Sequence, residues 1–138
     1  MRRFLALCVA VCVALSTASA VTEPMEPTPL EDGIYHVSGE EEGKAYSGVF
    51  TIRRDGESYL TVHVTAGGAI SHGVGVRKGN VLSVSIKQTF PPTGAAAAMQ
   101  FDIKEKEKLL DGVWVVPGAD KHRIEQLRFL RRLTNKDV

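Results

Sequence analysis

The chain has 138 residues, with 43% hydrophobic and 7% aromatic side chains, 17 Lys and Arg against 16 Asp and Glu, and two cysteines. The formal charge of +1 is nearly balanced, the basic residues are scattered, and no recognition motif accompanies them, which argues against a nucleic-acid partner. Both cysteines, Cys8 and Cys12, fall in the opening segment, so the rest of the chain offers no disulfide, no thiol nucleophile and no thiolate metal ligand.

The opening MRRFLALCVAVCVALSTASA has the order of a secretory signal peptide. Arg2 and Arg3 give a positive start, Phe4 to Leu15 an apolar run too short to cross a bilayer, and Ala18-Ser19-Ala20 a small-residue cleavage site. Leu7 and Val11 precede the cysteines where a lipoprotein signal would place a small residue. The expectation is export to the periplasm or beyond, with no stable membrane insertion once residues 1–20 are removed. Residues 21–31 carry three prolines and little to bury, and read as an extended linker. A single β domain over residues 32–133 and a frayed tail over 134–138 complete the expected organisation. Charge is uneven across these parts. Val21 to Gly43 holds seven acids and no Lys or Arg, whereas Lys44 onward holds 15 Lys and Arg against nine acids.

Short strands and turns follow one another from Gly33. Gly33–Gly39 is a predicted strand, closed by the polar turn Glu40 to Gly43. Ala45–Arg53 alternates apolar and polar residues, turns at Asp55-Gly56, and returns as Ser58–Thr65. Gly67-Gly68 turns into Ile70–Arg77, and Lys78-Gly79-Asn80 turns into Val81–Gln88. The helix formers of residues 94–110 permit a helix. The alternation of Ala97, Met99, Phe101 and Ile103 against Ala98, Gln100, Asp102 and Lys104 predicts a strand over Ala96–Lys104 instead. Residues 122–133 fit either a basic amphipathic helix or a strand near Ile124–Leu130. The fold class expected is all-β: an antiparallel up-and-down meander of about seven or eight short strands forming a small barrel or a strongly curled sheet. A glycine before a β-branched residue recurs at strand starts in Gly33-Ile34, Gly48-Val49, Gly73-Val74 and Gly112-Val113, as sharp strand bends require.

Period-two alternation assigns faces. Tyr35, Val37, Phe50, Ile52, Leu60, Val62, Val64, Leu82, Val84, Ile86, Met99, Phe101, Ile103, Trp114 and Val116 are expected inside. Gly73 and Gly75 would share that face and make room for Trp114 or Phe101. Tyr59, Thr61 and His63 are expected outside. Val49, Val74, Val76, Val113 and Val115 are apolar yet also outside, so a C-terminal segment, a second molecule or a protein partner is expected to cover the strip.

Chemistry is sparse. His36, His63, His72 and His122 are not paired at metal-ligand spacing, so no metal or cofactor is expected. GVGVRKG at Gly73–Gly79 lacks both the spacing and the following helix of a phosphate loop, and no G-x-S-x-G nucleophile elbow is present. Asp102, Glu105, Glu107 and Asp111, separated by lysines, read as a solvated hairpin tip. The aromatic set is either core or the lining of a small apolar pocket within a barrel.

The run DGIYHVSG, YSGVFTIRRDGESYLTVHV, GVGVRKGNVLSVSI, MQFDI and KLLDGVW resembles small exported bacterial β-rich proteins of unassigned function, over Asp32 to about Trp114. That resemblance implies export and β-structure. The G-x-W of Gly112 and Trp114 also resembles the lipocalin and avidin (calycin) signature. There it sits on the first strand and here near the end, so no binding residue is carried over. Two functional classes follow. One is a non-enzymatic binding module for a small apolar ligand or a protein partner, with Tyr35, Phe50, Gly75, Phe101 and Trp114 as candidate ligand-binding residues. The other is a hydrolase-type enzyme using His63 on the polar strand face.

Overall fold

The computed structural model describes Pro27 and residues 30–137; the expected signal peptide and most of the expected linker lie outside the described residues. Eight strands follow in order: β1 (Gly33–Glu41), β2 (Lys44–Asp55), β3 (Ser58–Thr65), β4 (Ile70–Lys78), β5 (Val81–Phe90), β6 (Ala96–Lys104), β7 (Leu109–Val115) and β8 (Arg123–Arg132). Each pairs antiparallel with its neighbours in sequence, and β8 returns to β1, so the meander closes into a barrel. Both ambiguous segments are strands, β6 and β8. Closure removes free sheet edges, and eight strands leave an interior that side chains can fill or that can hold one small ligand.

Tight turns set the register. Gly56 and Gly79 take the left-handed φ of +61° and +58° that lets Asp55 face Ser58 and Lys78 face Val81. Residues paired across strands share a face, so each turn dictates which side chains point inward. Tyr35, Phe50, Ile52, Leu82, Val84, Ile86, Met99, Phe101 and Ile103 fill the interior as the alternation implies. Phe50 meets Phe101 edge-on at 5.8 Å between ring centres, and Tyr35 meets Phe129 at 5.4 Å.

β3 corrects the expected faces. Phe50 pairs with His63 and Ile52 with Thr61, so Tyr59, Thr61 and His63 point inward and are buried. Leu60, Val62 and Val64 are half-buried on the outer wall. Thr51, Arg53, Leu60 and Val62 there share a hollow with Leu133 and Asp137 of the C-terminal segment. Asp137 accepts hydrogen bonds from Arg131 Nη1 and Nη2 and from the Thr134 amide at 2.8 to 2.9 Å.

Two further expectations change. Gly73 and Gly75 do face inward, but neither makes room for Trp114 or Phe101. Added Cβ atoms would meet Ile86, Thr61 and the Ser85 carbonyl at Gly73, and Val84, Leu82 and the Ser83 carbonyl at Gly75. The Phe101 ring instead lies over Gly112, where a Cβ would collide with it. The acidic hairpin tip is only partly solvated, since Glu107 turns back to Arg77 at 3.4 Å. The outer valines are 37–59% exposed. Val74, Val76, Val113 and Val115 share one shallow hollow, whereas Val49 lies apart on β2.

The two barrel ends differ. At the end bearing Gly33, the Asp55–Ser58 turn and the β6–β7 turn, the interior is filled. Leu30 is buried there, and the Tyr35 hydroxyl donates to the Glu31 carbonyl at 2.9 Å. Burial and the nearby carboxylates push the Tyr35 phenol well above its usual range. The opposite end, bearing the β1–β2 and β3–β4 turns, remains open.

Candidate ligand-binding site

The inner positions near the open end are small. Ser71 and Ala97 leave their space to a pocket of about 860 Å³, which Ala45, Ser47, Ala95 and Ala96 border at the rim. Tyr46, His63, Ile86, Gln88, Trp114, Val116 and Arg123 complete its lining. The volume lies in the range of small-molecule sites.

Tyr46 and Trp114 at its wall belong to a polar chain that ends on Glu125, which lies behind the lining in a buried layer. Trp114 Nε1 donates to the Tyr46 hydroxyl at 3.0 Å, and that hydroxyl donates to Glu125 Oε2 at 2.5 Å. An indole N–H can only donate, so the order of donors is fixed and ends on the carboxyl. Tyr46 reaches Glu125 because Gly39 beside it has no side chain; a Cβ there would overlap the phenol ring. Glu125 is 1% exposed and His63 is 5% exposed. His63 Nε2 stands 3.7 Å from Glu125 Oε2, too far for a hydrogen bond. Among the described residues, three buried polar atoms have no protein hydrogen-bond partner: Glu125 Oε1, His63 Nε2 and Thr61 Oγ1.

Burial disfavours charge in this layer. It pushes the Glu125 carboxyl up to about 7 despite the stabilising Tyr46 hydrogen bond. It pushes the His63 imidazole down to about 4. Burial and the Glu125 contact raise the Tyr46 phenol well above its usual range. Burial thus favours the neutral imidazole and holds back ionisation of the carboxyl. At the mouth, the Arg123 guanidinium lies over the Trp114 ring at 4.5 Å and forms an ion pair with Glu41.

The expected ligand-binding residues separate. Trp114 lines the pocket. Phe50 and Phe101 are fully buried in the core between the ends, and Tyr35 is fully buried toward the filled end. Gly75 is backed by Val84 and Leu82. None of these four lines the open pocket. His63 does line it, from inside the barrel and not from the outer polar strand face where it was expected. Tyr46, Glu125 and Arg123 were not among the expected residues. For Tyr46 and Glu125 the strand registers carried a signal: Gly39 pairs with both, so all three share the inner face.

Among the described residues no group of three or more His, Cys, Asp or Glu is placed to hold a metal ion. The chain matches no known family model and no curated protein.

Proposed function

We propose that this chain is an exported binding protein that takes one small, largely apolar ligand into the open end of its barrel. The observation that carries the reading is the pocket itself: ligand-sized, bordered by alanines, Ile86, Val116 and Trp114, with Tyr46, His63 and Gln88 as a few polar groups among them. Export rests on the opening twenty residues. The test is native mass spectrometry of the protein purified from its own host, alongside the S71F variant. Ser71 lines the pocket from β4, so a phenyl ring there occupies ligand space. The expected result is a retained small-molecule mass that S71F lacks. Absence of any retained mass, together with no saturable change in Trp114 emission across a panel of amphiphiles, overturns the reading.

A second reading is favoured by one observation, the buried carboxyl of Glu125 within 4 Å of His63, which lines the pocket. Such a pair is suited to acid–base chemistry. It ranks below binding because no hydroxyl among the described residues is hydrogen-bonded to the His63 ring, as an activated nucleophile would be. A bound compound recovered chemically altered would reverse that order.

A further inference from the structure

We propose that two copies of this chain associate through the outer wall formed by β4 to β7, related by a two-fold axis that runs along β5. The registers place two rows side by side on that wall. Val76, Ser83, Gln100 and Val113 lie directly opposite one another from strand to strand, and so do Val74, Ser85, Ala98 and Val115. Neither row holds a charged side chain, and Ile124 extends the first onto β8. The four valines are 43–59% exposed, so the strip gathers bare apolar side chains in one place, as interaction sites do. Small side chains on β5 and β6 set the wall back between the valines of β4 and β7, leaving a shallow hollow of about 580 Å³. None of these outward side chains lines the open pocket, so the inference is independent of the binding reading.

The charges beside the strip identify the occupant. The next row toward the filled end is Lys78, Val81, Asp102 and Asp111. Asp102 and Asp111 stand directly opposite each other on β6 and β7, where like charges repel. Asp111 is compensated, since Lys104 Nζ lies 3.2 Å away and Gln126 Nε2 donates to it at 2.7 Å. The side chains of Asp102 and Lys78 have no ion-pair or hydrogen-bond partner among the described residues. Lys78 stands two strands from Asp102, about 10 Å away at the usual strand spacing, too far to pair within one molecule. A two-fold axis along β5 exchanges β4 with β6 level by level. It sets Lys78 of each copy over Asp102 of the other and so supplies the missing cation twice in one contact. The same operation lays Val76 over Gln100 and Val74 over Ala98. Ser83 and Ser85 then meet their own counterparts at the axis, where small side chains let the two walls approach. A contact between identical copies needs a self-complementary face of this kind, and an unrelated partner does not.

Sedimentation velocity of the protein purified from its own host, from about 1 µM to about 500 µM, tests the pairing. A monomer–dimer equilibrium with a micromolar Kd is expected, because the face is smaller than the standard interface of about 800 Å² per partner. K78D or D102K alone sets like charges against each other twice in the contact, and each should weaken the dimer about tenfold or more. The K78D/D102K double variant restores both attractions and should return the Kd to within about threefold of its original value. An equal mixture of the two single variants should form the heterodimer for the same reason. Damage to the fold by either substitution would not produce that rescue. A monomer at every concentration overturns the inference, as does a dimer that the single reversals leave unchanged or that the double variant fails to restore. A chain that stays monomeric while holding another host protein through contacts sensitive to V76E overturns it in favour of that partner.

Discussion

A methyl group at position 39 would fall within the phenol ring of Tyr46, and a methyl at position 112 within the phenyl ring of Phe101. The two glycines solve the same packing problem in different layers. Phe101 is enclosed, so G112A overpacks the core; Tyr46 borders the open pocket, but its hydroxyl is held by Trp114 and Glu125, so G39A displaces the ring against those hydrogen bonds. Each should cost about 1–3 kcal/mol, read as a lower denaturant midpoint. Their effects on Trp114 should differ. G39A displaces the phenol that accepts the indole N–H, and should shift the emission of Trp114. G112A moves a ring outside that hydrogen-bonded chain, and should leave the emission close to its original wavelength. If both variants shift it equally, Gly39 has no special part in placing Tyr46.

At the scale of elements, the β6–β7 turn is built under backbone strain. Glu105, Lys106 and Glu107 hold φ of +48°, +54° and +66°, three successive left-handed residues with side chains. Each such residue is disfavoured by contact between Cβ and carbonyl oxygen. The Glu107 side chain returns a contact to Arg77, whereas Lys106 makes none that the turn depends on. K106G should therefore raise stability by about 1 kcal/mol in urea unfolding, with E107G gaining less because it also gives up the ion pair. The strands from β1 to β6 and their order were legible in the sequence, since turn residues separate the alternating runs; β8 was not, because residues 122–133 fit a helix as well as a strand. The face of β3 was not legible from alternation alone. Leu60, Val62 and Val64 are its apolar residues, and the usual inference places them inside. The Asp55-Gly56 turn carried the contrary signal: a two-residue connection pairs Asp55 with Ser58, and therefore Phe50 with His63. With Phe50 in the core, His63 has to be inside as well. Alternation failed here because the interior near the open end is polar, which is also where the candidate site lies. Phe50, Phe101 and Tyr35 read as candidate pocket residues for the converse reason. Aromatic side chains pointing inward are common to core and pocket, and only their level along the barrel axis separates the two.

For the whole molecule, the filled end and the open end divide the work of stability and of binding, and the buried pair between β3 and β8 ties them to pH. Glu125 has a folded value near 7 against an ordinary 4.5. The folded state thus binds more protons than the unfolded chain between those values, and stability from this group is lost as pH rises from 4.5 to 7. His63 has a folded value near 4 against an ordinary 6.5. There the unfolded chain binds more protons, and stability is lost as pH falls from 6.5 to 4. At about 1.4 kcal/mol per pKa unit, each effect amounts to about 3 kcal/mol over its window. The windows overlap and the slopes oppose, so the pair together contributes a nearly level profile. Single variants should expose the two slopes. Relative to the unmodified protein, E125Q should gain about 3 kcal/mol as pH rises from 4.5 to 7, and H63Q should lose about 3 kcal/mol of relative stability between pH 4 and 6.5. Denaturant unfolding of all three proteins at half-unit pH steps measures this. Flat differences for both variants would mean that the imidazole and the carboxyl keep their ordinary values in the folded protein, so that burial does not disfavour charge in this layer.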